Sequence, residues 1–405
     1  MSTIQVLFLC VLLCGTTIFL ILFINQRHSW SYLYSLGNKA ANKSKQKPWY
    51  FKSGTAFPHP INGTPKLFPE QMGGDRITEQ LMYLPGNYSD ANSPQKVILV
   101  ANGLQVWHQE VGSVAFQECP VSRCTLTENR KMYKKADALL YKDYFVRPPA
   151  HRPSQQVWIL YLLECPYHTS VFNYLNVFNW TATYRWDSDL VAPYEKWVYY
   201  DPKVTQKHQE RNYAANKTKK VAWFVSNCNA WNKRLEYARE LQKYISVDIY
   251  GACGTLGCPR QDSTCFQLLD RDYKFYLAFE NSNCGDYITE KFYVNSLQYN
   301  VIPIVMGARP EDYTRSAPLG SFIHVDNFDR PQELAEYLHI LDKDDELYNT
   351  YFRWKGTGEF INTYFWCRLC GMLHAPLQHK YYKNINSWWR GQGICTEGSW
   401  RNKTR

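Results

Sequence analysis

Seven short apolar runs, at 97–100, 138–141, 157–163, 221–225, 247–250, 275–279 and 301–305, most limit the folds open to this chain. They lack the strict alternation of strands with one wet face, and helical patterns such as 232–244 separate them. Runs of this kind read as parallel strands covered on both faces, which is α/β architecture. The polar stretch "NYAANKTKK" (212–220) interrupts the series and predicts two doubly wound domains, 76–215 and 216–375, with residues 376–405 as a tail. Two such domains face each other across a cleft, and ligands bind at the carboxyl ends of the strands.

Residues 4–24, "IQVLFLCVLLCGTTIFLILFI", hold no formal charge. As a helix they are long enough to cross a ~30 Å hydrocarbon core, so residues 1–24 read as a short tail and membrane anchor. A cleaved signal peptide is the alternative, but the run exceeds the usual apolar core of such peptides and no small-residue cleavage site follows it cleanly. Residues 25–75, rich in Lys, Asn, Pro and Gly, predict a stem that contributes no core. Arg27, Lys39, Lys43, Lys45 and Lys47 follow the anchor while no Lys or Arg precedes it, which by itself argues for a cytoplasmic body.

Sequons and thiols argue the reverse. Asn42, Asn62, Asn87, Asn179, Asn216 and Asn402 each head an N-x-S/T triplet, and such acceptors are glycosylated only in the secretory lumen. Of 13 cysteines, Cys10 and Cys14 lie in the apolar run, and the rest follow it. Cys119, Cys124, Cys367 and Cys370 could share one zinc, but an oxidising lumen favours disulfides. The odd number downstream leaves one thiol over, and Cys228, just past an apolar run, is the expected buried, inert one. The expected topology is a single-pass type II anchor with a lumenal body. A formal charge of +10 suits nucleic acid, anionic membrane or a phosphate-bearing ligand. The basic residues are scattered and the compartment is wrong for nucleic acid.

In "KFYLAFENSNCGDYITEKF" (274–292) a strand runs into a polar turn, and Asp286 reads as the N-cap of a helix reaching about Gln298. A helix start at a strand's carboxyl edge suits an anion, above all a phosphate. Lys291 adds a full charge, Tyr287 can stack or hydrogen-bond, and Glu290 can accept from sugar hydroxyls. The plainer alternative is a surface Glu-Lys pair. A second strand-turn-helix, "VAWFVSNCNAWNKRLEYARELQKY" (221–244), places Ser226, Asn227, Asn229 and Arg234 at a similar mouth. Two such units, each with a cation, describe a diphosphate clamp, which a glycan-binding protein without catalysis has no use for. Neither holds a P-loop or a dinucleotide fingerprint.

"QVWILYLLECPYHTS" (156–170) runs seven apolar or aromatic residues into Glu164. Partial desolvation there would raise its pKa toward neutrality, as a general base needs. Turn capping or an ion pair with Arg185 are the alternatives, and His168 is a candidate partner. Asp187-x-Asp189 matches a metal-binding D-x-D by three letters only and is assigned to structure or acceptor contacts.

The stretches "YKFYLAFENSNCGDYITEKFY…VIPIVMG", "CTLTENRKMYKKADALLY", "VAWFVSNCNAWNKRLEYARELQKYISVDIYG" and "SFIHVDNFDRPQELAEYLHILDKDDELYNTYFRWK" closely resemble the α1,3-fucosyltransferases. The resemblance covers most of residues 95–375. It implies two Rossmann-like domains in the GT-B arrangement, Golgi localisation, GDP-fucose as donor, and inversion without an obligatory metal, manganese being at most a stimulant. It further implies donor contacts from Ser226, Asn227, Arg234, Tyr287, Glu290 and Lys291, and a base at Glu164, where Cys165 replaces the Ser of the family's "ESP" turn. It also implies that Cys119 and Cys124 pair with Cys367 and Cys370. "LECPYHT", "VFNWTATYRWDSDLVAPYEKW" and "SWWRGQGICTEGSW" resemble the insect and plant-type members that fucosylate the innermost, Asn-linked GlcNAc of N-glycans. Lewis-type members act on antennal GlcNAc instead.

Overall fold

The computed structural model describes residues 46–60, 65–148, 151–259, 264–376 and 378–403. The expected anchor at 4–24, residues 25–45 of the stem, Asn42, Asn62 and the side chain of Asn402 lie outside the described residues. Among the described residues no helix is long and apolar enough to cross a membrane. Residues 46–49 and 53–56 belong to a small unit closed by backbone bonds from Trp49 to Ala56 and from Thr55 and Ala56 to Lys47. Residues 50–52 and 57 onward form the other unit, which holds every element discussed below.

β1 (Lys96–Val100), β2 (Cys124–Thr127), β3 (Ala138–Lys142), β4 (Val157–Leu162) and β5 (Trp180–Thr183) form a parallel sheet in the order β2-β1-β3-β4-β5. The chain continues through β6 (Lys196–Tyr199), β7 (Lys219–Phe224), β8 (Val247–Tyr250), β9 (Tyr273–Phe279), β10 (Asn283–Cys284), β11 (Ile302–Met306), β12 (Ile323–His324), β13 (Gly358–Ile361) and β14 (Cys395–Thr396). A second parallel sheet has the order β12-β11-β9-β7-β8, while β6 pairs antiparallel with β13 and β10 with β14. All seven apolar runs are strands.

The continuous hydrophobicity of β9 follows from its central place, where all seven residues are buried. Phe275, Leu277 and Phe279 pack in one layer with Ala238, Leu241, Leu334 and Leu338, whereas Tyr276 and Ala278 pack in the other with Phe292 and Tyr313. Along the helix Arg234–Leu241, Arg234, Ala238 and Leu241 recur at helical spacing as its buried stripe.

Several expectations are corrected. Leu67 and Phe68, assigned to the stem, are core residues, the Phe68 ring lying 5.5 Å from that of Trp180; they dock as single anchors, so no periodicity announced them. The helix Phe365–Leu373, at the end of the expected second domain, is tied to the first sheet's side by Cys119–Cys367 and Cys124–Cys370, the pairing that the resemblance implies. Those two pairs remove the zinc alternative, since all four sulfurs are spent. Cys228 is not the spare thiol but pairs with Cys253, and Cys258–Cys265 and Cys284–Cys395 are also bonded. Among the described residues the free cysteine is Cys165, fully buried.

Of the sequons, Asn87 and Asn216 are exposed. Asn179 is committed inside the fold: its Oδ1 accepts from Trp158 N at 2.8 Å and from Arg152, and its Nδ2 donates to Lys380 O at 2.8 Å. Its amide aligns the entry to β5, a role at odds with carrying a glycan.

Candidate active site

β4 delivers Leu163 and Glu164 at its carboxyl end, and the one-turn helix Pro166–His168 follows. Glu164 Oε1 accepts from Tyr287 Oη at 2.6 Å, from Cys165 N at 2.8 Å and from Asn281 Nδ2 at 3.4 Å. Asn281 and Tyr287 lie beyond β9, so the carboxyl ends of the two sheets meet at this carboxylate. Among the described residues no side chain or backbone group donates to Oε2. The Glu164 side chain is half-exposed, and Oε2 is the acceptor left open on it.

The expected upward pKa shift is not found. Burial does push the Glu164 carboxyl up, but hydrogen bonds from Tyr287, Cys165 N and Asn281, with His168 nearby, outweigh it and hold the group below its ordinary 4.5. An ion pair with Arg185 is also removed, because Arg185 grips Asp187 with Nε at 2.9 Å and Nη2 at 2.6 Å. Glu164 is therefore ionised at neutral pH. Tyr287→Phe keeps the ring, which is 2% exposed, but deletes one bond that favours the charged form. Its acid limb moves to higher pH in a kcat/KM profile; an unmoved limb would show that the hydroxyl does not tune this carboxylate.

Next to Glu164, Cys165 Sγ donates to Ser282 Oγ at 3.1 Å and lies 3.2 Å from His168 Nδ1. Burial pushes its thiol up to about 11. Glu164, Cys165 and His168 bring three ligand atoms within 4.8 Å of one another. The hydrogen bonds among these groups already engage the thiol with Ser282 and one carboxylate oxygen with Tyr287.

On the other sheet, Asp286 is not a helix N-cap. It takes a left-handed backbone, φ 60°, and its carboxylate accepts from Trp186 N at 3.0 Å and from Arg315. The helix after it is short, Glu290–Tyr293, with Thr289 at its start, so no long helix directs its N-terminus at a ligand. The charges are organised by Glu280 instead, at the end of β9 and 0% exposed. Glu280 accepts from Thr289 N at 2.8 Å and from Thr289 Oγ1, and lies 3.1 Å from Lys291 Nζ. Burial raises its pKa despite Lys291. Burial pulls Lys291 down, but Glu280 and Glu290 prevail, and the ammonium is held above its ordinary range. Gly307 makes room for this pair: with φ 152°, a Cβ there would sit 2.5 Å from Glu280 Cγ.

Ser226 and Asn227 are exposed at the carboxyl end of β7. Arg234 does not offer an open fork: at 4% exposure it donates to Phe279 O at 2.6 Å and Asn227 O at 3.1 Å, bracing the ends of β9 and β7. Glu290 is half-exposed and reaches Lys291 Nζ at 3.1 Å. Asp187 also accepts from Trp388 Nε1 at 2.9 Å, and Asp189, fully buried, accepts from Thr181 N at 2.8 Å, Tyr382 Oη at 3.0 Å and Lys380 Nζ at 2.5 Å. Both are structural carboxylates.

Sequence reasoning missed Glu280, Asn281, Ser282 and Thr289, and used the C-terminal segment only as a mark of acceptor type, not as a support of the site. Arg390 donates to Pro166 O at 2.7 Å and Ser170 O at 2.7 Å, and Trp389 Nε1 to Thr169 Oγ1 at 2.8 Å, fixing the turn after Glu164. Cys395 then bonds Cys284, and Gly285 N donates to Ile394 O at 2.8 Å, fixing the turn before Tyr287. For Glu280 a signal existed: a carboxylate ending an apolar run, the same feature that marked Glu164.

The family model Fucosyltransferase, N-terminal, matches residues 93–195, and Glycosyltransferase family 10 (fucosyltransferase) C-term matches residues 214–388. Glycoprotein 3-alpha-L-fucosyltransferase A of Drosophila melanogaster is 57% identical over 378 residues, 88% of this chain and 75% of that protein. The chain belongs to the family 10 fucosyltransferases. It is also similar to the 3-galactosyl-N-acetylglucosaminide 4-alpha-L-fucosyltransferase of Homo sapiens, 38% identical over 65% of this chain and 74% of that one. A crystal structure of an alpha1,3-fucosyltransferase with GDP-fucose aligns at TM-score 0.49 and 18% identity, covering 79% of this chain and 99% of the other. In this fucosyltransferase Glu164 falls in the first matched stretch and Ser226 to Lys291 in the second. Trp389, Arg390 and Cys395 lie beyond the matched residues.

Proposed function

We infer that this enzyme moves L-fucose from GDP-β-L-fucose to the 3-hydroxyl of the innermost, Asn-linked GlcNAc of N-glycans, with inversion. The observation that carries the reading is Glu164: an ionised carboxylate at the meeting of two sheets, one oxygen fixed by donors from beyond β9, the other free. Glu164 Oε2 takes the acceptor hydroxyl proton as that oxygen attacks fucose C1. The C1–O bond to the diphosphate breaks on the opposite face, and its electron pair leaves with GDP. Lys291 and the exposed turn at Ser226 and Asn227 receive the growing negative charge, which strengthens their hold as the transition state forms. Glu290 accepts from sugar hydroxyls of the donor. Arg234 acts through the turn it braces and Tyr287 through the base. No metal is obligatory in this scheme.

For the acceptor, support comes from the relative at 57% identity, whose name specifies glycoprotein 3-fucosylation, against 38% for the human 3-galactosyl-N-acetylglucosaminide enzyme. Five disulfides and exposed sequons at Asn87 and Asn216 support a lumenal body, and we place the enzyme in the Golgi on an N-terminal anchor. Offering GDP-fucose with a core N-glycan and with N-acetyllactosamine tests the assignment. Labelling confined to the core glycan is the expected result, and labelling confined to the antennal acceptor overturns it.

A further inference from the structure

Trp231 is 55% exposed, and no other tryptophan stands among the exposed large hydrophobic side chains of the described residues. Its position is specific. It lies in the turn after β7, four residues beyond Asn227, and its ring stacks on Tyr167 with centroids 5.8 Å apart and planes 27° apart. Tyr167, itself 41% exposed, is three residues past Glu164 on the turn held by Arg390 and Trp389. One ring therefore comes from the base side and the other from the donor side. The two rings stack offset, and an indole that is 55% exposed despite this neighbour keeps much of its surface open to a ligand. The backbones are fixed as well: Cys228–Cys253 ties down the Trp231 turn, and Asn232 Nδ2 donates to Glu280 O at 2.9 Å just after it.

We propose that Trp231, backed by Tyr167, is a stacking platform for a pyranose ring of the acceptor glycan. The proposal rests on the fucosyl-transfer reading above and adds where the acceptor is held. A β-linked GlcNAc carries its substituents equatorially, so the axial C–H groups on carbons 1, 3 and 5 form an apolar patch on one face. A flat, rigid aromatic suits that patch, while hydroxyls at the ring edge stay free for polar partners. A diphosphate group gains nothing from such a surface, and a guanine base stacked there would show as lost GDP affinity in the test below. The sugar on the platform is the one that brings an adjoining hydroxyl to Glu164.

The test titrates GDP-loaded wild type, Trp231→Ala and Trp231→Phe with chitobiose and follows ligand-observed saturation-transfer NMR, with GDP affinity measured separately. In wild type, saturation concentrates on the axial protons of one ring. Trp231→Ala loses it and raises the acceptor KM about ten-fold, whereas Trp231→Phe keeps most of both. GDP affinity stays within about two-fold in both variants, the size of change an ordinary surface substitution brings. Unchanged saturation and acceptor KM in Trp231→Ala overturn the platform, and so does a parallel loss of GDP affinity, which would place the indole on the donor. If wild type transfers to neither glycan, the functional reading fails by itself, and the chitobiose titration still decides the platform.

Discussion

Glu164→Gln gives a folded protein that binds GDP as the parent does and transfers fucose on the order of 10²–10⁴-fold more slowly. The substitution is close to silent structurally. The amide oxygen takes the place of Oε1 and keeps the donors Tyr287, Cys165 N and Asn281, while the amide nitrogen replaces Oε2, to which no described group donates. Only the capacity to take a proton goes. Single-turnover transfer together with GDP calorimetry separates this from general damage. Turnover near the parental rate removes Glu164 from the role of base.

Lys291→Ala is expected to weaken GDP binding and turnover together, by roughly 10²–10³-fold if the ammonium meets the diphosphate in the transition state. It also leaves Glu280 a buried carboxylate with Thr289 as its remaining donor. Removing one partner of a buried pair costs about 3–5 kcal/mol when nothing replaces it. The two effects separate by sign and by a second substitution. Burial already raises the pKa of Glu280, so the folded variant favours its protonated form. Stability is then present below the unfolded carboxylate pKa and is lost as pH rises through the raised folded value. Adding Glu280→Gln removes that pH dependence and restores folding. GDP affinity stays low in the double variant, and its full recovery would show that Lys291 matters only to Glu280.

The sheets were legible because each central strand is wet on neither face: 157–163, 275–279 and 301–305 announce themselves by unbroken hydrophobicity. β2, β5 and β12 were not. They are edge strands of two to four residues, and a run as short as Ile323–His324 has no period to detect. Glu164 was legible as a carboxylate ending an apolar strand, yet its pKa direction was not, because hydrogen bonds from residues more than a hundred positions away decide it. Lys291 and Arg234 were visible as cations near strand ends. That one pairs with a buried Glu280 while the other braces backbone carbonyls depends on packing between elements far apart in sequence. The same holds for Arg390 and Cys395, whose partners lie in both halves of the chain.

The most direct test is an experimental structure of the protein with GDP and its acceptor glycan. The account predicts the diphosphate against Lys291 and the turn at Ser226 and Asn227, with the acceptor 3-hydroxyl in hydrogen-bond reach of Glu164 Oε2. A nucleotide seated away from Lys291, or a Glu164 side chain turned from the acceptor, would contradict it.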